Sequence, residues 1–351
     1  MQSLFAVIMA GGRGERFWPL STEHRPKPFV PLLGPRTLFQ ETVARLKPFL
    51  PPERILIVIG EAHYPFAAEQ APEIPAGNFI IEPQGRDTAA CLGWSSLHIE
   101  RRSPEGVMLA LPADHFIAAP EVFQTAVRVA LRSLEGARGV VFGIRPTRPE
   151  TGYGYIRAEK PALRADAWPV VRFVEKPDSA TASAYVRSGK YFWNSGMFLW
   201  RNRTLLELFE KHMPDTYAGL AALRPLVGRE DSREKARQIF AGLRRISIDY
   251  GILERTCGLR LVPADFGWDD IGDWASLGRA RGAGTSENIA SGPVVAAQSR
   301  NCVLFSDSTP MAVFGLSDMV VVQARGRVLV CPKARAPELK TLYSALPEDM
   351  K

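Results

Sequence analysis

Phe5-Ala6-Val7-Ile8-Met9-Ala10-Gly11-Gly12-Arg13-Gly14-Glu15-Arg16-Phe17-Trp18-Pro19-Leu20, followed by Pro26-Lys27-Pro28, is the stretch on which the fold of this chain turns. The apolar run from Phe5 to Met9 has the composition of a strand buried on both faces, and it breaks into a turn rich in glycine and arginine. Glycine lets backbone N–H groups approach an anion closely, while Arg13, Arg16 and Lys27 add the fixed positive charge that attracts a phosphate ester. A strand-to-helix turn with solvated arginines has the same composition. The loop alone therefore says only that a phosphate would fit.

Two familiar phosphate loops do not match it. The dinucleotide fingerprint G-x-G-x-x-G would begin at Gly12 and Gly14, but Phe17 stands where the third glycine is needed for close helix packing. Walker A fails as well, since no Gly-Lys-Ser/Thr follows Gly11 at the required spacing.

Outward from the loop, periodicity alternates. Residues 37–50 carry Leu38, Val43, Leu46 and Leu50 at near-helical spacing, and Pro51-Pro52 ends them. The continuous apolar runs 55–59, 79–81, 107–111 and 140–144 read as buried strands, with helix-length segments at 62–71 and from 88 toward 102. This pattern predicts an α/β fold, a Rossmann-like, mainly parallel mixed sheet flanked by helices. Residues 152–156 and 171–177 read as an antiparallel pair, 179–188, 205–211 and 225–243 as helices, and 259–264 as a last strand. Residues 282–286 look like a linker. Beyond them, short β runs at 302–305, 312–316, 319–322 and 328–331 and a helix at 336–346 predict a small β domain. The expected division is 1–281 and 282–351.

At 351 residues, 46% hydrophobic and 23% charged, the chain has the composition of a soluble globular protein of one large and one small domain. Its net charge of +7 is spread without a basic arm, so phosphorylated small molecules are expected as partners and nucleic acid is not. Cys91, Cys257, Cys302 and Cys331 lie far apart, in neither a disulfide framework nor a zinc pattern. No basic leader precedes the first apolar run and no apolar stretch approaches ~20 residues, so a cytoplasmic enzyme with no membrane contact is expected.

Several polar residues sit where chemistry belongs. Asp114 follows the strand at 107–111, and ligands of open α/β sheets bind outside the carboxyl ends of strands. It reads as a hard oxygen donor suited to a divalent cation such as magnesium or as a helix cap, and His115 as positional. Asp269, Asp270 and Asp273 would repel one another unless a cation or hydrogen bonds compensate them, which favours a metal role over a bare surface loop. Asn194, in an apolar run, requires a hydrogen-bond partner. Asp87 or Thr88 suits a helix N-cap, as does Asp249.

These segments resemble the sugar-1-phosphate nucleotidylyltransferases, whose opening signature G-G-x-G-x-R-x-x-P-L followed by P-K is matched by residues 11–20 and by Pro26-Lys27. Residues 82–89 are similar to the E-P-x-x-R-N-T-A of the mannose-1-phosphate guanylyltransferase branch, with Asp87 for the asparagine and Ala90 for the usual proline. The Asp-for-Asn change removes an amide donor. Matches to V-E-K-P at 174–177, N-S-G-x-F at 194–198, S-I-D-x-x-x-x-E at 247–254 and W-x-D-x-G at 268–272 extend the resemblance over essentially the whole chain.

The resemblance implies a nucleotidyltransferase fold and transfer of GMP from GTP to mannose 1-phosphate, with Mg2+, giving GDP-mannose and pyrophosphate. It places Ala10, Gly11, Gly12, Arg13 and Gly14 around the nucleotide, with Glu82, Arg86 and Thr88 at its base. Arg16 and Lys27 would stabilise charge on the α-phosphate and departing pyrophosphate, with Arg16 filling the space of the missing third glycine. Asp114 and Asp270 would hold the metal, Lys176 the sugar phosphate, and Gly154, Glu175 and Asn194, with Asp249 nearby, the sugar. A homodimer is implied, its assembly or cleft helped by the C-terminal β piece. The sugar phosphate is itself the nucleophile, so positioning and charge neutralisation suffice and no Ser, Cys or His nucleophile is needed. A different hexose or heptose 1-phosphate or NTP, or a catalytically silent sugar-nucleotide sensor, remains open. The intact Arg16, Lys27, Asp114 and Asp270 argue for an enzyme.

Overall fold

The computed structural model describes residues 3–12, 14–161, 165–280 and 287–351, so Arg13 and the expected linker at 282–286 lie outside the described residues. Strand β1 (Leu4–Met9) is buried on both faces, and its side chains alternate between two separate cores. Ala6 and Ile8 join one and Phe5 and Val7 the other, as the period-two geometry of a strand demands.

Around β1 the main sheet adds β2 (Ile55–Gly60), β3 (Phe79–Glu82), β4 (Val107–Pro112), β6 (Gly139–Ile144), β7 (Tyr155–Ala158), β8 (Trp168–Val174), β9 (Tyr191–Arg201) and β10 (Leu259–Ala264). Their order is β3-β2-β1-β4-β9-β6-β10-β8-β7, and β7 also pairs with β9. The sheet is parallel from β3 to β4. Antiparallel β9 then enters between β4 and β6, and β10 and β6 are again parallel. A short antiparallel pair, β5 (Phe116–Ile117) with β11 (Trp268–Asp269), stands apart.

One face is covered by α1 (Leu38–Leu46), α2 (Tyr64–Gln70) and α4 (Pro120–Ser133). The other is covered by α3 (Asp87–Arg102), α6 (Asn202–His212), α7 (Pro214–Leu223) and α8 (Arg233–Ala241). Two short helices, α9 (Ile248–Gly251) and α10 (Ser276–Ala280), come later in the chain. Local chemistry sets several helix ends. Thr37 and Gln40 form a capping box on α1, and Asp178 caps α5 (Ser179–Ser188) by accepting from Thr181 N at 2.8 Å. Of the expected helical stretch 225–243, only its second half is a long helix, and α7 was not anticipated.

The C-terminal strands coil. β12 (Ile289–Ser291), β14 (Val303–Ser306) and β16 (Met319–Ala324) are parallel neighbours with Ile289, Val303 and Val320 in register. β13 (Val294–Ala297) and β15 (Met311–Phe314) make a second parallel pair, and β17 (Arg327–Pro332) returns antiparallel along β16. Stacked parallel rungs of this kind are a small β-helix, which α11 (Leu339–Ala345) closes. A third core joins it to the start of the chain, with Phe17, Trp18 and Leu20 packed among Trp274, Phe305, Val320 and Tyr343.

Candidate active site

β2 and β4 flank β1, and the chain leaves β1 and β4 at the crevice where the order of an open α/β sheet reverses. The loops after these two strands form its floor. Ala10 N donates to Val58 O at 2.9 Å, and Gly12 takes φ +113°, opening the loop. Gly14 takes φ +67°, and a Cβ there would lie 2.7 Å from Lys27 N, so glycine is required to bring Lys27 in.

Lys27 Nζ donates to Asp114 Oδ2 at 2.9 Å and to the backbone carbonyl of Asp270 at 2.6 Å. It ties together the two residues whose carboxylates are expected to hold metal. Burial pushes the Asp114 carboxyl up, but Lys27 and His115 outweigh it and hold it below its ordinary value. Asp114 caps no helix, since β5 follows it. Trp268 Nε1 donates to His115 Nδ1 at 3.1 Å, and Arg45 Nη2 reaches His115 O at 3.2 Å, so His115 is held as a positional residue.

The three neighbouring aspartates separate. Asp269 accepts from Ile271 N and pairs with Arg279 at 3.3 Å, while Asp273 accepts from Ser276 N at 2.9 Å. Asp270 alone of the three lines the cleft, and its Oδ1 accepts from Tyr153 OH at 2.5 Å. Among the described residues no cage of three or more His, Cys, Asp or Glu forms. Hydrogen bonds and an ion pair within the protein thus compensate two of the three, Asp269 and Asp273.

Glu82 ends β3, and its Oε1 is buried with no hydrogen-bond partner among the described residues. Burial, and after it the charge of Asp87, raises the Glu82 carboxyl to about 7. Thr88 Oγ1 accepts from Ile248 N at 2.9 Å, and Asp87 Oδ1 accepts from Thr88 N at 2.7 Å, yet neither caps α3. Arg86 is not brought to the cleft, because its guanidinium turns onto the carbonyl of Ala241 at the end of α8.

Elsewhere in the cleft, a Cβ on Gly154 would collide with Glu175 Oε2 and lie 3.2 Å from Asn194 Cβ, so glycine is needed there. Asn194 Nδ2 donates to Asp249 Oδ1 at 2.8 Å and its Oδ1 accepts from Gly196 N at 3.1 Å, so its partners are the protein's own. The expected need of this amide for a partner is thus met within the protein. Ser247, not Asp249, caps α9. Burial raises both Asp249 and Glu175, the latter to about 7 with Asp249 adding to the effect and Lys176 opposing it. Lys176, at φ +48°, lies 3.6 Å from Glu175 Oε1, and Glu175 Oε2 is buried without a partner among the described residues.

Gly11, Gly12, Gly14, Arg16, Lys27, Asp114 and Asp270 line one chamber. Ala10, Glu82, Thr88, Gly154, Glu175, Lys176, Asn194 and Asp249 line an adjoining one that shares Gly11, Gly12, Asp114 and Asp270 with it. Phe17 corrects the expectation about the missing glycine: its ring, 1% exposed, packs 5.2 Å from Trp274, so the space is filled by core and not by Arg16. Sequence reasoning also missed Tyr153, whose flanking glycines drew attention from its hydroxyl, and Arg245, which lines both chambers.

Residues 5–287 match the family described as Nucleotidyl transferase, and residues 292–346 that described as MannoseP isomerase/GMP-like beta-helix domain. The chain is 38% identical to the mannose-1-phosphate guanylyltransferase of Escherichia coli (strain K12), over 99% of this chain and 74% of that protein. It is 37% identical to Xanthan biosynthesis protein XanB of Xanthomonas campestris pv. campestris (strain B100), over 99% and 74%. A crystal structure described as mannose-1-phosphate geranyltransferase from Thermus thermophilus superposes with a TM-score of 0.90 at 37% identity, covering 98% of this chain and 99% of that one. A UDP-glucose pyrophosphorylase complexed with UDP-glucose shares the fold at a TM-score of 0.50 and 17% identity, covering 80% of this chain and 98% of that one. The chain belongs to the nucleotidyl transferase family, within its mannose-1-phosphate guanylyltransferase branch.

Proposed function

We propose that this chain transfers GMP from GTP to mannose 1-phosphate, forming GDP-mannose and pyrophosphate. One observation carries the reading. Two buried carboxylate oxygens without partners among the described residues, Glu82 Oε1 and Glu175 Oε2, belong to residues lining a cleft whose middle holds Lys27, Asp114 and Asp270. A buried acceptor without a donor costs free energy, so each calls for a donor from a ligand. Guanine offers a carboxylate two adjacent donors, N1–H and the 2-amino group. Adenine pairs its amino group with an acceptor, and uracil flanks its N–H with carbonyls. At Glu175, sugar hydroxyls supply the donors.

In this reading Gly11, Gly12 and Gly14 face the triphosphate, with Ala10 beneath the nucleoside and Thr88 at the base. Arg16 and Lys27 neutralise the α-phosphate and the departing pyrophosphate, and Lys176 anchors the sugar phosphate. Glu175, with Asn194 and Asp249 fixing its surroundings and Gly154 leaving room, reads the sugar. An oxygen of the sugar phosphate attacks the α-phosphorus in line. The bond from that phosphorus to the bridging oxygen breaks, and its electron pair leaves with pyrophosphate.

Two hard carboxylates lining a cleft, without a protein cage, suit Mg2+, which keeps water and substrate phosphate among its ligands. Asp114 and Asp270 would hold it, and when bound it supplies charge neutralisation on the triphosphate. We set the boundary between catalytic unit and β-helix at 281/282 and propose a cytoplasmic homodimer. The exposed Val295, Phe314, Val328 and Val330 on the C-terminal strands support the dimer. Among the described residues, no helix is long and apolar enough to cross a membrane. Pyrophosphate release measured across several NTPs and sugar 1-phosphates tests the reaction: GTP with mannose 1-phosphate is expected to be the best pair, and no release from it overturns the reading. Sedimentation of a monomer at micromolar concentration overturns the dimer.

A further inference from the structure

We infer that Arg245 is a phosphate-binding residue of this cleft, reaching to the point where the sugar phosphate meets the α-phosphate. The inference rests on the reaction proposed above and assigns it a residue that none of the sequence motifs contains.

Arg245 lies between α8 and α9 and lines both the phosphate chamber and the chamber shared by base and sugar. Arg16, in contrast, lines the phosphate chamber alone of the two. The other cations near the junction are engaged with acidic partners. Lys27 is bonded to Asp114 at 2.9 Å, and Lys176 lies 3.6 Å from Glu175. Lys340, arriving from α11, lies 3.8 Å from Glu15. The Arg245 guanidinium has no ion pair or hydrogen bond among the described residues.

Its backbone, by contrast, is pinned. Ala89 N donates to the carbonyl of Ile246 at 3.2 Å, Ile248 N donates to Thr88 Oγ1 at 2.9 Å, and Asp249 accepts from Asn194 at 2.8 Å. A long, exposed side chain thus swings from a fixed root set between the base loop and the sugar residues. Two phosphates must approach for the new P–O bond to form, and their repulsion opposes that approach. A planar guanidinium, with several donors in one plane, can bond an oxygen of each at once, which an ammonium does less well.

The test compares wild type, Arg245→Gln and Arg245→Lys in pyrophosphate release and in calorimetric titration with mannose 1-phosphate, mannose and GTP. Because Arg245 is exposed and unpartnered, the melting temperature is expected to be unchanged. Arg245→Gln is expected to lose roughly 10- to 100-fold in kcat/KM for both substrates, with part recovered by Arg245→Lys. It should also bind mannose 1-phosphate more weakly. Kinetics and binding like the wild type in Arg245→Gln overturn the inference while leaving the reaction intact. An equal loss of binding toward unphosphorylated mannose overturns it too. Should wild type release no pyrophosphate, the reaction fails as a reading; weaker titration of mannose 1-phosphate and GTP by Arg245→Gln would still uphold Arg245 as a phosphate ligand.

Discussion

Lys27 Nζ lies 2.9 Å from Asp114 Oδ2, joining a residue of the opening loop to one at the end of β4 across 87 positions of sequence. Removing the ammonium leaves a partly buried carboxylate uncompensated. Lys27→Met is expected to lower stability at pH 7 by about 2 kcal/mol, short of the fully buried case because solvent still reaches Asp114. The depressed Asp114 pKa stabilises the fold above its ordinary value of 3.8, and that stabilisation is lost as pH falls through the lower folded value. Denaturation curves of variant and wild type should therefore differ at pH 7 and converge in strong acid. Turnover should fall roughly 100-fold or more.

Tyr153 orients Asp270 through a 2.5 Å hydrogen bond to Oδ1. Tyr153→Phe keeps the ring packing against Trp193 and Trp268 but frees the carboxylate. About a tenfold fall in kcat/KM is expected, with more Mg2+ needed for half-maximal rate. Rates measured over a magnesium series check this; an unshifted curve would remove Tyr153 from any part in metal binding.

Glu82→Gln separates stability from activity. Because burial raises the Glu82 pKa to about 7, its protonated form favours the fold; that contribution is complete below the ordinary value of 4.5 and is lost as pH rises through 7. The variant should melt higher than wild type at pH 8 and close to it at pH 4. Its KM for GTP should rise roughly tenfold, and its preference for GTP over ITP, which lacks the 2-amino group, should shrink. In wild type, GTP binding should weaken as pH falls below 7, since a protonated Glu82 accepts fewer donors.

Phe17→Ala opens a cavity where the phosphate loop meets the C-terminal sheet. A loss of about 3–5 kcal/mol is expected in urea denaturation, typical of truncating a buried Phe. Turnover should fall too, although Phe17 is not assigned to the chemistry, because Arg16 is its chain neighbour.

Much of this was legible from the chain. β1 declared itself by an unbroken apolar run, α5 by its Asp178 cap and a glycine able to take φ +64° at its end, and Asp114 by following a buried strand. What stayed hidden depends on pairings between distant side chains. Asp269, Asp270 and Asp273 look alike in sequence, and only the positions of Ile271 N, Arg279, Ser276 and Tyr153 tell them apart. That Asn194 needs a partner is legible, but which one is not, because Asp249 lies 55 residues away. β12 and β13 are too short for periodicity, and parallel rungs leave no hairpin turn to mark them.

The third core has a consequence for the order in which the enzyme comes into being. Trp18 Nε1 donates to the carbonyl of Met350 at 3.0 Å, and Trp274 Nε1 donates to Trp18 O at 3.1 Å. The loop that carries Trp18 leaves the ribosome before Trp274 and Met350, which support it. A chain growing from its N-terminus can fold the β1-centred sheet early, but the loop cannot acquire its final stiffness until Met350 emerges. On a nascent chain, catalytic competence should appear as a late step separate from the appearance of the sheet.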